Sequence, residues 1–456
     1  MSVSRRTILR LVAASSATSA LGQLGLSSAL AADTGGYRAM VGIFLFGGND
    51  AWNMVVPNDG RYADYAKQRG SSIALAQSSL MPLAGTTFAL HAAMAPLKTA
   101  WDEGALSVVL NTGPLVTPLT KALYTNRPDL RPVNLMSHED QQNQWQGLRP
   151  RATSRDGFMG RINDQAKATR LPSLISVAGS QLALIGDRSA PLILPSSGPM
   201  VRYGYDPSSH DAEIKARQAA IATFADVSSY GAITSLTSRA VSSAYAQAVE
   251  ANNIIGSTDS AVDKHFVHPT TGAPLNTDIA HQLMRVARMI EAHSALAHAK
   301  QTFFVSQTGY DTHTNQINTE NALYTDLANA LSGFYNAIKF LRLRDSVTAF
   351  TMSDFGRVFK GNANGGTDHG WGSNHLVLGG SLQGGRIHGR YPDTTFGGPE
   401  DASSDGRWIP SIAAEEYIGA IAKWYGVSAA DLPYVFPNWS TWNGGGRGPV
   451  PLFKAT

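Results

Sequence analysis

The sequence predicts an α/β protein built on a mostly parallel, doubly wound sheet flanked by helices, with a helical insert. Three observations carry this. Short runs that are apolar on both faces recur along the chain and end in glycine or a polar turn, as strands buried between two helix layers do. Segments with apolar residues at three- and four-residue steps alternate with them, which implies crossover helices between parallel neighbours. Acids and imidazoles cluster directly after several of the runs, where open parallel sheets place their ligands.

In chain order, "MVGIFLFGG" (Met40–Gly48) is the first buried strand. His91–Trp101 has helical spacing, and "ALSVVLNTG" (Ala105–Gly113) is the second strand. "LPSLISVAG" (Leu171–Gly179) is the third, followed by an almost wholly helical region over about residues 208–297, rich in alanine. "QTFFVSQTG" (Gln301–Gly309) is the fourth strand. Asn315–Leu343 is a long amphipathic helix, with Leu323, Leu327, Leu331, Phe334, Ile338 and Leu341 on one face. "SVTAFTMSD" (Ser346–Asp354) and "NHLVLGG" (Asn374–Gly380) are the fifth and sixth strands, and a helix over Ala413–Tyr425 closes the fold. No internal repeat or strong linker breaks residues 32–456, which read as one domain carrying the insert.

The bulk properties narrow the function. With 456 residues, 43% hydrophobic and 16% charged, the chain can bury a large core. A net charge of +3 with no basic run beyond the N-terminus gives no nucleic-acid footprint. The absence of cysteine excludes disulfides, thiol catalysis and sulfur-ligated metal, so any ion must be held by His, Asp, Glu, Asn or a hydroxyl.

Residues 1–31 have the parts of an export signal. Arg5 and Arg6 stand side by side in "SRRTILRL", a mildly apolar run follows to about Leu30, and Ala29-x-Ala31 supplies a cleavage pattern. The paired arginines point to the twin-arginine machinery as a partner, and to a periplasmic or secreted location. The alternative is an amphipathic N-terminal helix. Ser15, Ser16, Thr18 and Ser19 make the run a poor permanent anchor, and no other segment reaches the roughly 20 apolar residues a span requires.

Four strand-end segments carry the chemistry. "GGNDAWNMVVP" brings Asn49, Asp50 and Asn53; "GYDTHTNQ" brings Asp311, His313 and Gln316; "SDFGR" brings Asp354 and Arg357; "GNANGGTDHGWGSNHLVLGG" brings Asp368, His369 and His375. A single acid after a strand is usually a helix cap, but four segments meeting at one edge suggest a shared site. Mixed carboxylate and imidazole sets without sulfur suit Zn²⁺, Mn²⁺, Fe²⁺ or Mg²⁺, and one or two such ions would serve hydrolysis. Arg357 is expected to bind an anionic substrate oxygen.

These segments, with "SHEDQQNQW" and the Arg5-Arg6 signal, resemble over nearly the whole mature chain the twin-arginine-exported domain-of-unknown-function family numbered 1501. That family is grouped by fold with the alkaline phosphatase and sulfatase-like hydrolases. The resemblance to that superfamily implies that Asp50 is the first metal-binding aspartate, that Asp311 and His313 hold an ion, and that Asp354 is the ligand after a later strand. Phe355 stands where the superfamily has a histidine, so a second ion would be short of one ligand. His369 fits the final histidine; His375 competes for that role but reads better as a supporting or packing residue. Ser137 falls at the nucleophile's position, at a helix N-terminus where free amides favour an anion; it reads equally as an N-cap with Asp140 completing a capping box. His138 is a ligand, an acid/base group or a surface histidine.

Other candidates carry less. His91 reads as a cap or packing residue, and His281, His293 and His298 as structural. Trp52 and Trp371 flank proposed ligands and could line a pocket for an apolar or sugar-like substrate. The expected function is an exported metal-dependent hydrolase of phosphate or sulfate esters, acting on a small or polymer-derived anionic ester. The alternative is an exported binding or assembly protein with a degenerate site.

Overall fold

The computed structural model describes residues 36–166, 169–200, 210–225, 232–257 and 260–455; the segment expected to be an export signal, residues 1–31, lies outside them. Among these residues, β1 (Arg38–Leu45), β2 (Leu106–Gly113), β3 (Leu174–Ser176), β4 (Leu192–Ile193), β5 (Lys300–Gln307), β6 (Val347–Ser353), β7 (Ser373–Leu378), β8 (Arg386–His388) and β9 (Ile412–Ala413) form one sheet. The spatial order is β8-β2-β7-β6-β1-β5-β3-β4, with β9 also paired to β2. β1 runs parallel to both β5 and β6, pairing Val41 with Phe303 and with Ala349. All strands share this direction except β7, which is antiparallel to β6 and β2. The chain therefore makes a mostly parallel sheet flanked by helices, as its apolar runs predict.

The two-faced character of β1 shows how the core is divided. Ala39, Val41, Ile43 and Leu45 enter one apolar cluster, with Leu327, Leu331, Phe334 and Ile338 of the long helix. Met40 and Phe44 enter a second cluster on the opposite face, with Trp145, Phe158, Tyr417 and Ile421. Side chains alternate faces along a strand, so a strand covered on both sides must be apolar throughout.

The helices used below are α1 (Tyr62–Arg69), α2 (His138–Gly147), α3 (Ala212–Ala225), α4 (Ala232–Ile255), α5 (Asp278–Glu291), α6 (Gln316–Phe340) and α7 (Ala414–Tyr425). Within the region expected as a helical insert lie α3, α4 and α5, and Ala251 and Ile255 of α4 enter the apolar cluster of β1 and α6. In α5, Ile279, Leu283, Val286 and Ile290 lie in the same core as β1 and α6, so this helix belongs to a layer of the sheet. The helix expected over His91–Trp101 is broken into a 3₁₀ turn, Ala92–Leu97, and a short α-helix, Lys98–Asp102. Pro96 in the turn lacks the amide that a continuous helix would use. His91 caps that turn, its Nδ1 accepting from the Ala93 amide at 3.1 Å.

The antiparallel β7 matters most for the site. A helical crossover would carry the chain back to the far edge of the sheet. The glycine-rich loop between Asp354 and Gly372 instead turns back on itself, so both of its ends lie at the carboxyl edge.

Candidate metal centre

Four chain segments meet at the carboxyl edge of the sheet. The turn after β1 touches the turn after β5 through Gly47, whose φ is +113°. A Cβ there would lie 2.4 Å from the Asp311 amide nitrogen, so only glycine allows the two turns to approach this closely. The glycine loop presses on the same turn: a Cβ on Gly366 would lie 2.2 Å from the His313 carbonyl carbon. The fourth segment is the start of α2, preceded by Asn134 and Met136 at φ +45° and +73°. Such backbone is costly for non-glycine residues and persists where surrounding bonds over-determine it. The Met136 amide donates to Gln141 Oε1 at 2.6 Å, and its carbonyl accepts from His369.

His138, Asp311 and His369 form the centre, with one ligand atom from each lying within 4.8 Å of the other two. Asp311 Oδ1 is 3.1 Å from His369 Nε2, and Asp311 Oδ2 is 3.5 Å from His138 Nε2. Both imidazoles are oriented by the opposite nitrogen. His138 Nδ1 donates to Asp354 at 2.7 Å, and His369 Nδ1 donates to the Met136 carbonyl at 2.8 Å. Each Nε2 thus faces Asp311. A metal-binding histidine commonly has its second nitrogen held by a carboxylate or carbonyl in this way. His313 adds an Nε2 at 3.0 Å from both His369 Nε2 and Asp311 Oδ1, while its Nδ1 lies 3.4 Å from Asp368. Two or three nitrogens and one carboxylate, without sulfur and partly open to solvent, fit a divalent ion that keeps a position for substrate.

The electrostatics agree with this donor set. Burial alone would raise the Asp311 carboxyl, but the Arg357 hydrogen bond and charge, together with His313 and His369, hold it below its ordinary value. The hydrogen bond from His138 to Asp354 raises that imidazole against partial burial, and the Asp354 and Asp311 charges add to the effect. Burial lowers His369, with the Arg357 and His138 charges acting in the same direction. An ion at the centre must displace protons, so its binding depends on pH.

The structure distributes the sequence candidates as follows. Asp311, His369 and His313 come together, joined by His138. Asp354 stands behind His138, fully buried, and accepts from His138 Nδ1, Gln142 Nε2 at 2.8 Å and the Gly47 amide at 3.2 Å. Asp50 does not join them. Its carboxylate, 0% exposed, pairs with the equally buried Arg69, accepts from Gln316 Nε2 and caps the Ala51–Met54 turn through the Trp52 amide.

Arg357, expected to bind anions, is also 0% exposed. Its guanidinium donates to Asp311 Oδ1 at 2.9 Å, to the Gly47 carbonyl, and to the Thr367 hydroxyl and carbonyl. With these donors committed, it holds a ligand instead of facing solvent. Ser137 caps α2, its Oγ accepting from the Asp140 amide at 3.4 Å. His375 packs between Trp145 and Tyr417, where burial pushes it down to about 3. Trp52 and Trp371 are buried and donate to the carbonyls of Arg357 and Pro114, so they belong to the core instead of lining a pocket.

Sequence reasoning missed Arg69, which ends the helix "YADYAKQR" and resembles any surface arginine. It also missed the Met136 carbonyl, which no side-chain pattern can show, and Gln142, one turn into α2. "SHEDQQ" gave a signal for the last of these, since residues 138 and 142 share one face of a helix.

No curated protein matches the chain. Among solved structures, it is similar to Ps i-CgsB in complex with k-i-k-neocarrahexaose at 9% identity, covering 89% of this chain and 77% of that one, with a TM-score of 0.32. A structure from work on multiple glycosaminoglycans in Bacteroides thetaiotaomicron is 10% identical, with coverages of 88% and 80% and a TM-score of 0.34. A mutant of the alkaline phosphatase PafA is 10% identical, with coverages of 72% and 64% and a TM-score of 0.27. Likenesses this distant place no residue and assign no activity. The family model described as "Protein of unknown function (DUF1501)" matches residues 37–404, and the chain belongs to that family.

Proposed function

We propose that the protein is an exported, metal-dependent hydrolase of phosphate or sulfate esters. The observation that carries this reading is the pair of imidazoles, His138 and His369, each held through Nδ1 and turning Nε2 toward the Asp311 carboxylate. His138, Asp311 and His369 would hold the ion, with His313 as a further ligand. When bound, a divalent ion supplies Lewis-acid stabilisation of an ester oxygen and lowers the pKa of an attached water. The chain's own residues do the rest. Arg357 keeps Asp311 ionised and in place, and Asp354 fixes the tautomer of His138. In this reading Ser137, one residue before His138 and at the N-terminus of α2, would attack the ester and pass its hydroxyl proton to water, and the departing oxygen would take a proton from water. His313, 43% exposed and beside Asp368, stays in the ligand set. No helix among the described residues is long and apolar enough to cross a membrane.

A second reading, a binding protein with a degenerate site, is favoured by Phe355. Its ring packs against both His138 and His369, with centroids 4.9 and 4.6 Å away, giving the centre an apolar floor.

The test is hydrolysis of an aryl phosphate and an aryl sulfate by the metal-loaded native protein and by the Asp311→Ala and His369→Ala variants. Turnover that both substitutions abolish, with the fold intact by circular dichroism, supports the enzyme. Metal retention without turnover of either ester supports the binding protein.

A further inference from the structure

Beneath the centre, behind Arg357, lies a buried polar chain whose other members the proposed chemistry does not use. Arg357, which donates to Asp311, also donates from Nε to Thr367 Oγ1 at 3.1 Å. Thr367 Oγ1 donates onward to Gln316 Oε1 at 2.6 Å, and Thr312 Oγ1 reaches the same oxygen at 3.2 Å. Gln316 Nε2 donates to Asp50 Oδ2, and Asp50 is paired with Arg69. Thr312, Thr367, Gln316, Asp50, Arg69 and Arg357 are all buried. The Arg69 guanidinium also lies over the Phe359 ring, 5.2 Å from its centroid. The series runs without a break from an ion pair in the core to a ligand at the surface.

The direction of the donors is informative. The Gln316 amide is the one group that both accepts from the Thr367 side and donates to the Asp50 side. Removing it leaves a threonine hydroxyl and a carboxylate oxygen without that partner in a region closed to water, where unpaired polar groups are costly. The alternatives are for Thr367 to turn away, releasing Arg357 Nε, or for Asp50 to shift. In the first case the guanidinium that fixes Asp311 loses one of its supports and keeps only its bonds to the Gly47 and Thr367 carbonyls. Ligands are held to within a fraction of an ångström by such outer partners, and losing one typically weakens metal binding about 10–100-fold.

We infer that Gln316 is a positioning residue of the metal centre, coupling the buried Asp50–Arg69 pair through Thr367 and Arg357 to Asp311. This rests on the reading of His138, Asp311 and His369 as metal ligands. It also gives Asp50 a role outside the ligand set: it is the anchor of the chain, with a guanidinium as its permanent counter-ion.

The experiment is a Co²⁺ titration of the full mature chain, read by d–d absorption, with crystal structures of the metal-free variants. Gln316→Leu and Thr367→Val should each weaken Co²⁺ binding about tenfold or more and alter the band shape. Gln316→Glu should bind as the native protein does. A carboxyl beside the Asp50 carboxylate is held protonated, and so keeps one donor for Asp50 and one acceptor for Thr367. Tyr65→Phe, which removes a bond to Asn53 at 2.7 Å in the same core, should lower stability and leave Co²⁺ binding unchanged.

Native affinity in Gln316→Leu and Thr367→Val, or equal losses in Gln316→Leu, Gln316→Glu and Tyr65→Phe, overturns the inference. If the native chain takes no cobalt, the metal reading fails separately, and the metal-free Gln316→Leu crystal decides this one. A displaced Arg357 guanidinium and Asp311 carboxylate support the coupling, and unmoved side chains overturn it.

Discussion

Replacing Asp354 by asparagine removes a charge without removing volume, and the structure sets the expected cost. Asp354 Oδ2 accepts from His138 Nδ1 at 2.7 Å and Gln142 Nε2 at 2.8 Å, while Oδ1 accepts from the Gly47 amide at 3.2 Å. An amide has one oxygen. Turned toward His138 and Gln142, it sets its NH₂ against the Gly47 N–H and leaves a buried donor unpaired, at about 1–3 kcal/mol. Loss of charge assistance to the remaining bonds adds to this, so Asp354→Asn should lose roughly 2–4 kcal/mol in a denaturant titration.

Metal binding should also weaken about 10–100-fold at pH 8, because His138 loses the carboxylate that orients it. The pH dependence is the sharper test. In the metal-free native protein Asp354 raises His138 above its ordinary value, so the proton competes with the ion more strongly as pH falls. Asparagine removes that competition, and the gap between variant and native affinity should narrow from pH 8 to pH 6. A gap of constant size at both pH values, measured by calorimetric Zn²⁺ titration, would refute the effect of Asp354 on the His138 proton, and native affinity at pH 8 would refute its orienting role.

Three further substitutions have defined outcomes. Gly47→Ala drives a methyl to 2.4 Å from the Asp311 amide nitrogen at φ +113°; it should cost more than about 2 kcal/mol of stability and weaken metal binding together, and a variant stable to within experimental error would contradict the packing of the two turns. Burial pushes Glu415 up to about 8, so the folded state keeps its proton while the unfolded chain ionises above about pH 4.3. Native stability should therefore fall as pH rises from about 4 to 8, by on the order of 4 kcal/mol from this group. Glu415→Gln should remove that slope in thermal unfolding, and an unchanged slope would contradict the burial argument. Ser137→Ala should lose about 0.5–2 kcal/mol as an N-cap. Ester turnover should fall by roughly three orders of magnitude or more if Ser137 is the nucleophile; unimpaired turnover in the loaded enzyme removes it from the chemistry.

Much of the framework was legible in the sequence, because a strand covered on both faces must be apolar along its length. The runs at Met40–Gly48, Gln301–Gly309 and Ser346–Asp354 correspond to β1, β5 and β6. They are neighbours in the sheet, and that adjacency brings their polar ends together. The direction of β7 was not legible, since an apolar run reads alike both ways. Which carboxylate meets which cation was not legible either. Asp50 and Asp311 follow strands in similar polar contexts, yet Asp50 is met by Arg69 from the end of α1, whereas Asp311 is met by Arg357 and three imidazoles. Those pairings depend on how α1 packs across the sheet edge. Likewise His138 could be a surface residue in "NLMSHED"; only the approach of α2 to Asp354 and of Met136 to His369 gives its ring a fixed direction.

The most direct measurement is elemental analysis of the protein isolated from its native source, followed by an anomalous-scattering map of its crystals. The expected result is a divalent ion bound by His138 Nε2, His369 Nε2 and an Asp311 oxygen at about 2.0–2.2 Å, with Asp50 still paired to Arg69. A protein that carries no divalent ion and takes none up on addition, or an ion seated on Asp50 with Arg69 displaced, would contradict the centre described above.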